Sequence, residues 1–347
     1  MIISYTEKRL SDFFKDFVKD LQDDDTKLMS EGLGSAEFTG YIDSGCYAFN
    51  ALVSGTIFGG IPNNSATALA GDPATGKTFF VLSIIEHFLK ANPDAGVYFA
   101  ETESAVRNAM AEARGIDTSR VIRAEPETLH DFKVKFVDFL EKYAAAKNRP
   151  PMLSALDSLG MLPSSMEVND AKADKDVKDM SRSSVIKGIF RIIRLRMAKL
   201  KVPMLITNHV YAGVGPYAPQ RVIAGGSGLI YTADTIVMLS KKKIKEGDEI
   251  VGNLIKARTY KARLARENQE VELRLDYDKG LDRYHGLHEI ATDLGIFKKL
   301  ATKWELPGGA KVFGKEIAEN PEQVFTDEIL KEIDAGCPKL FQYGTHS

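Results

Sequence analysis

The feature that constrains this chain most is eight residues long. Gly71, Asp72, Pro73, Ala74, Thr75, Gly76, Lys77 and Thr78 read GDPATGKT, a full match to G-x-x-x-x-G-K-[ST]. A short apolar run (66–70) precedes it and an apolar helical pattern (78–89) follows. In that strand–loop–helix setting the glycines let backbone N–H groups curl around phosphate oxygens at a helix N-terminus. Lys77 is placed to reach the outer phosphates, and the Thr78 hydroxyl to ligate Mg²⁺. A chain carrying this loop must supply a strand buried on both faces behind it, which points to an α/β layer architecture.

The rest of the pattern agrees. Beyond 66–70, strand signals fall at 96–100, 152–156, 203–207 and 235–239, with helical stretches between them. Such alternation implies a mostly parallel sheet with crossover helices. The clearest internal helix is 185–201, with Phe190, Ile193, Met197 and Leu200 on one stripe and Lys187, Arg191, Arg194 and Lys201 mostly on the other. Near the N-terminus, Leu10, Phe13, Phe14, Phe17, Val18 and Leu21 share one face of a helix over 6–21, tethered by a polar, Gly-rich linker (23–39). That face has two open destinations, the chain's own core or another protomer. Three segments are predicted: 1–35, helix and linker; 36–286, the main body; 287–347, a small C-terminal domain.

Carboxylates at predicted strand ends are the next candidates. Asp157 closes the 152–156 strand, where an acid can hold Mg²⁺ through water. Glu101 and Glu103 follow the 96–100 strand at i and i+2; a carboxylate there can orient a water for attack on the γ-phosphate, and spacing does not choose between them. Asn208 and His209 follow the 203–207 strand, where a polar pair can sense the γ-phosphate.

Composition narrows the class. The 347 residues carry 46 Lys+Arg against 48 Asp+Glu and are 44% hydrophobic, as in an ordinary globular protein. Apolar runs stop well short of the roughly 20 residues a membrane span needs, and residues 1–10 lack a secretory pattern, so a cytoplasmic location is expected. Two distant cysteines, Cys46 and Cys337, exclude a disulfide framework and a four-thiolate metal site. The near-zero net charge hides basic stretches: residues 187–201 carry six basic and no acidic side chains, and 241–266 nine against three.

In order, the loop at 71–78, the acidic strand end at 101–103, Asp157, Asn208-His209, AGGSGLIYTAD over 224–234 and Lys256-Ala257-Arg258 resemble the RecA-type recombinases, and within them the phage branch. The segments DMSRSSVIKGIFRII from Asp179, NHVY at 208–211 and KEGDEIVGNLIKARTYK from Lys245 are its most specific pieces. The resemblance covers about 40–290. It implies a RecA-type P-loop ATPase core with an N-terminal polymerisation helix and a small C-terminal domain. It implies Mg²⁺-dependent ATP hydrolysis, filament formation on single-stranded DNA, and pairing of that strand with double-stranded DNA; in a phage system it further implies a single-strand-binding protein, a loading mediator and the host cytoplasm. By position, Glu103 matches the water-activating glutamate, and His209 the residue linking the γ-phosphate to the second DNA loop. Lys256 and Arg258 match a basic pair that reaches the ATP of the neighbouring subunit.

The same resemblance marks two DNA loops, about 163–182 and 211–227, both expected to be disordered, or ordered by packing, without DNA. Arg182 matches a phosphate-contacting arginine, and Gly225, Gly226 and Ser227 a backbone-contacting step, a mode that tolerates any sequence. Two departures stand out: Met110, with Arg107 nearby, replaces the aromatic residue that stacks on adenine, and the family's acidic tail is absent. Two other readings share the core: a hexameric helicase or clock-type ATPase, and a non-hydrolysing recombinase loader or regulator.

Overall fold

The structure is a computed structural model that describes residues 3–22, 26–31, 37–174, 181–212 and 221–344. Its centre is one ten-stranded sheet. The strands are β1 (Ala66–Gly71), β2 (Gly96–Glu101), β3 (Val121–Ala124), β4 (Met152–Asp157), β5 (Met204–Ala212), β6 (Arg221–Ile223), β7 (Thr235–Glu246), β8 (Glu249–Lys261), β9 (Glu270–Asp276) and β10 (Gly280–Leu281). Their order is β3–β2–β4–β5–β1–β7–β8–β9–β10, with β6 attached to β5. From β3 through β7 all pairs on this path are parallel; from β7 through β10 all are antiparallel.

The phosphate-loop strand β1 lies in the middle and is buried along its whole length. Its sequence, ATALAG, puts small side chains on both faces, so packed layers approach closely. One face holds Leu69, Leu205, Val237 and Ile255 against α2 (Tyr47–Ser54) and α3 (Lys77–Ala91). The other holds Ala68, Ala70, Ile206 and Ile236 against α4 (Leu129–Ala145) and α5 (Arg182–Leu200).

The predicted strands are present and most run longer. β5 and β7 gain most, because β5 turns into a hairpin with β6 and β7 into a long hairpin with β8. Strand β3 and helix α4 were not anticipated. β3 is short and half-exposed, at the sheet edge, so it shows no strong period. The stripe of α4, Leu129, Phe132, Phe136 and Leu140, is obvious once its Thr128 cap is seen accepting from the Asp131 N–H.

The C-terminal segment shares the main core. Ile290, Phe297, Phe325, Ile333 and Phe341 join the same apolar cluster as Phe49 and Leu52 of α2. Polar ties reinforce the junction: Asp334 Oδ1 accepts from Ile57 N at 2.8 Å and Thr56 Oγ1 at 2.6 Å, and Gln342 Nε2 donates to Ser54 O at 2.9 Å. The N-terminal helix, Ile3–Asp20, is present, and Phe13, Phe14, Phe17 and Leu21 are all exposed. Cys46 and Cys337 are free and buried, and no helix among the described residues is long and apolar enough to cross a membrane.

Candidate nucleotide and DNA site

Register places the site. Across the parallel strands, Gly71 pairs with both His209 and Leu239, and Glu101 pairs with Asp157. The candidate residues therefore meet at one edge, the C-terminal ends of the strands, where ligands of open α/β sheets bind.

The phosphate loop leaves β1 through Asp72 and Pro73 and turns at Ala74 (φ +57°) and Gly76 (φ +96°). At Gly76 a Cβ would come within 2.8 Å of Leu275 Cδ2, so a residue without a side chain is required twice over. Lys77 is buried, and its ammonium donates to Gly71 O at 2.9 Å and Asp72 O at 3.0 Å. Burial pulls its pKa down, while Asp157, Glu103 and Asp72 oppose that shift. The ammonium thus rests on carbonyls of the loop that would cradle phosphate. Asp157 is buried at the end of β4; Thr207 and Thr78 donate hydroxyl hydrogen bonds to it. Burial pushes its carboxyl up, as do Glu103 and Glu101, and the two hydroxyls hold it down. A buried acid joined to the loop threonine is the donor set a hard divalent cation takes, so these residues fit Mg²⁺.

The two strand-end glutamates part company. Glu101 Oε2 pairs with Arg123 at 3.1 Å, and its Oε1 accepts the N–H groups of Glu103 (3.1 Å) and Ala105 (2.9 Å). Its three contacts hold the turn after β2 and tie it to Arg123 on β3. Glu103 instead faces His209, with Oε1 3.1 Å from Nε2, and accepts from Ser158 Oγ at 2.7 Å. The two carboxylates thus have different surroundings, Glu101 in the turn and Glu103 toward the second loop. Ser158 follows a cis peptide after Asp157, and it is tied to Thr102 by two hydrogen bonds of 2.8 and 2.9 Å.

His209 also connects to the second loop. Its carbonyl accepts from Ala224 N at 2.9 Å, and Asn208 Nδ2 donates to Ala224 O at 2.8 Å. Ala224 leads straight into Gly225 (φ +76°) and Gly226 (φ +60°), then Ser227 at the start of a short helix, Ser227–Thr232. Ser227 Oγ lies 3.1 Å from Ser183 Oγ on α5. Residues 213–220 of that loop and 175–180 of the first lie outside the described residues.

The first loop is partly helical, the packed alternative of the two expected. Ser165–Lys172 forms a helix because Ser164 and Glu167 make a reciprocal capping box. Arg182 donates to the carbonyls of Gly160 (2.8 Å), Leu162 (2.9 Å) and Leu159 (3.3 Å), so its guanidinium fastens the base of this loop.

Lys256 and Arg258 project from the face of β8 opposite α3, since Ile255 and Ala257 fill the core between and beside them. Lys256 Nζ lies 2.6 Å from Glu270 Oε1, and Arg258 donates to Asn268 Oδ1 at 2.8 Å. Both line a cleft of about 460 Å³ with Ser240, Tyr260 and Arg221. They are brought together with each other and not with Lys77.

Sequence reasoning missed Ser158, Thr207, Lys241 and Arg221. Lys241 lies two residues past Leu239, hence on the α3 face of β7, and its ammonium donates to Ala74 O in the phosphate loop. Ser158 and Thr207 adjoin predicted residues, the one signal available. Arg107 is exposed at the start of the helix Asn108–Glu112, whereas Met110 packs on the core. Nearer the phosphate loop, the Arg114 guanidinium stacks 4.4 Å over Phe79, whose ring lies 5.6 Å from Tyr277.

A family model of the RecA N-terminal domain matches residues 19–282. The chain belongs to the RecA family. Its similarity to the Recombination and repair protein of Enterobacteria phage T4 is 30% identity over 288 residues, 83% of this chain and 71% of that protein. Protein RecA of Deinococcus radiodurans is 27% identical over 290 residues, 80% of this chain and 77% of that one. Protein RecA of Thermus aquaticus is 26% identical over 286 residues, with 80% and 79% covered. In RecA-family terms, the matched region takes in the whole strand-end site described above, from Gly71 to Arg258.

Proposed function

We propose that this chain is an ATP-dependent recombinase that polymerises on single-stranded DNA, pairs it with a homologous duplex and hydrolyses ATP to leave the filament. The observation that carries this reading is the Glu103–His209 contact, because it joins a candidate catalytic carboxylate to the base of a candidate DNA loop through two residues.

In this reading Glu103 orients the attacking water and accepts its proton at a carboxylate oxygen, as a general base must lie within hydrogen-bond reach of the proton it takes. Ser158 fixes the carboxylate plane by its hydrogen bond. Lys77, freed from its two loop carbonyls, neutralises the outer phosphates. Mg²⁺, held by Thr78 and through water by Asp157, would supply further charge neutralisation on the phosphate oxygens. His209, whose buried Nδ1 has no hydrogen-bond partner among the described residues, transmits the state of Glu103 to Ala224 and the Gly225–Gly226 turn.

Lys256 and Arg258 sit away from this chain's own Lys77, on an open sheet face, which suits contact with the nucleotide of a neighbouring subunit. The exposed Phe13, Phe14 and Phe17 face suits a protomer–protomer contact, since a stripe of this size is seldom left in water. The exposed N-terminal face favours a filament over the helicase-ring reading, whose subunits share the basic contact to a neighbour's nucleotide. Single-strand-binding and loading proteins are proposed partners by analogy alone.

The test is ATP hydrolysis with and without single-stranded DNA, for the wild type and Glu103→Gln. Stimulation by DNA that disappears in the variant supports the reading. A rate indifferent to DNA points to a ring or clock-type ATPase, and the absence of hydrolysis to a loader or regulator.

A further inference from the structure

One cation lies within the second predicted DNA loop but outside its Gly225–Ser227 step and outside the hydrolytic cluster. Arg221 opens β6, and its guanidinium lies 2.7 Å from Asp72 Oδ2 in the phosphate loop. The same side chain lines the cleft that holds Lys256 and Arg258. Arg221 therefore touches the acid of its own nucleotide loop while lining a cleft that holds two further cations.

The charges in the cleft are uneven. Arg221, Lys256 and Arg258 stand against one carboxylate, Glu270, which Lys256 already occupies at 2.6 Å. Arg258 rests on a neutral amide, Asn268. The Asp72–Arg221 pair is open to water, with side chains 49% and 44% exposed, so its hold is weak enough to be exchanged for a better anion. A phosphate offers an arginine two parallel hydrogen bonds, and so competes well with a half-solvated carboxylate.

We propose that Arg221 is a third phosphate-binding residue of this cleft, held in reserve by Asp72, so that a subunit's own phosphate loop and the cleft for its neighbour's triphosphate compete for one guanidinium. This rests on the reading that Lys256 and Arg258 take a neighbouring subunit's nucleotide. The consequence is coupling between successive nucleotide sites that does not pass through His209. Because Asp72 restrains the arginine, the two partners have opposite signs of effect: removing Arg221 weakens the cleft, and removing the Asp72 charge releases Arg221 into it.

The test is steady-state ATP hydrolysis by the full chain on saturating poly-dT, comparing wild type, Arg221→Gln, Asp72→Asn and the double variant, with Lys256→Ala as reference. Arg221→Gln is expected to raise the half-saturating ATP concentration about fivefold, the loss of one charge-assisted contact at a half-exposed site. Asp72→Asn is expected to lower it about twofold, and the double variant to match Arg221→Gln. Both single variants raising it together, as a merely structural ion pair would, overturns the proposal, as does the absence of any change. Arg221→Lys, which keeps the charge but not the two parallel hydrogen bonds, is expected to raise it about twofold, and it replaces the glutamine variant if that one does not fold. If Lys256→Ala hydrolyses like the wild type, the neighbouring-nucleotide reading itself falls and the proposal with it, an outcome seen independently of the Arg221 series.

Discussion

Arg123→Met should cost this fold more than Glu101→Gln, although both substitutions break the same ion pair. The Glu101 side chain is 1% exposed, and three groups hold it: Arg123 at 3.1 Å and the N–H groups of Glu103 and Ala105 at 3.1 and 2.9 Å. Removing one partner of a buried pair costs about 3–5 kcal/mol, because the stranded charge has no water to replace what it lost. Here two backbone donors remain, and Arg123 is 33% exposed, so water reaches the vacated place. The expected loss falls to about 2–3 kcal/mol. Glu101→Gln removes the charge instead. Its amide oxygen can still accept from the two N–H groups, and Arg123 keeps Glu125 at 2.9 Å, so the expected loss is about 1 kcal/mol. Urea melts followed by circular dichroism, at one fixed protein concentration because assembly shifts apparent stability, measure both. Equal costs, or a costlier Glu101→Gln, would refute the assignment of Glu101 as a structural carboxylate that shapes the turn carrying Glu103.

Glu103→Gln is expected to lower the DNA-stimulated hydrolysis rate by about 10²–10⁴-fold while its urea midpoint stays at the wild-type value, since the lost group is a proton acceptor at a half-open edge. Gly225→Ala is expected to weaken single-stranded DNA binding and to destabilise the chain by about 1–2 kcal/mol, because the left-handed backbone (φ +76°) is strained for alanine and the new Cβ meets Ile186 Cδ1 at 2.7 Å; fluorescence anisotropy with a labelled oligonucleotide and a melt read the two effects. His288 packs edge-on against Trp304, ring centroids 5.0 Å apart, and burial, with help from His285 and Lys299, pulls its pKa from 6.5 to about 4. The unfolded chain therefore binds the extra proton first: this contribution to stability is complete above pH 6.5 and is lost as pH falls toward 4, with a slope near one proton. His288→Gln should remove that slope, and the emission of Trp304, the single tryptophan, reports it.

Much of the architecture was legible because its signals are local. The glycine loop, the small buried residues of β1 and the Phe190–Ile193–Met197 stripe each follow from one element's own period. What stayed hidden depends on partners distant in sequence. Edge strand β3 is half-exposed and draws its identity from β2. The hairpin extensions of β5 and β7 depend on pairing, not propensity. At the site, Glu101 and Glu103 were indistinguishable until Arg123 and His209, 22 and 106 residues away, were seen to claim one each. The three carbonyls that hold Arg182, those of Leu159, Gly160 and Leu162, were equally hidden. A carbonyl as acceptor leaves no mark in a sequence.

The buried state of the two sulfur atoms has a practical side. Cys46 and Cys337 are each 0% exposed, and burial lifts both thiols to about 12, so neither offers a thiolate to an alkylating reagent at neutral pH. The folded chain is thus silent toward maleimides without any cysteine being removed. Tyr211→Cys, at a position 57% exposed where β5 runs toward the second loop, would take a single dye, and the colour of that dye could follow the loop as strands are exchanged.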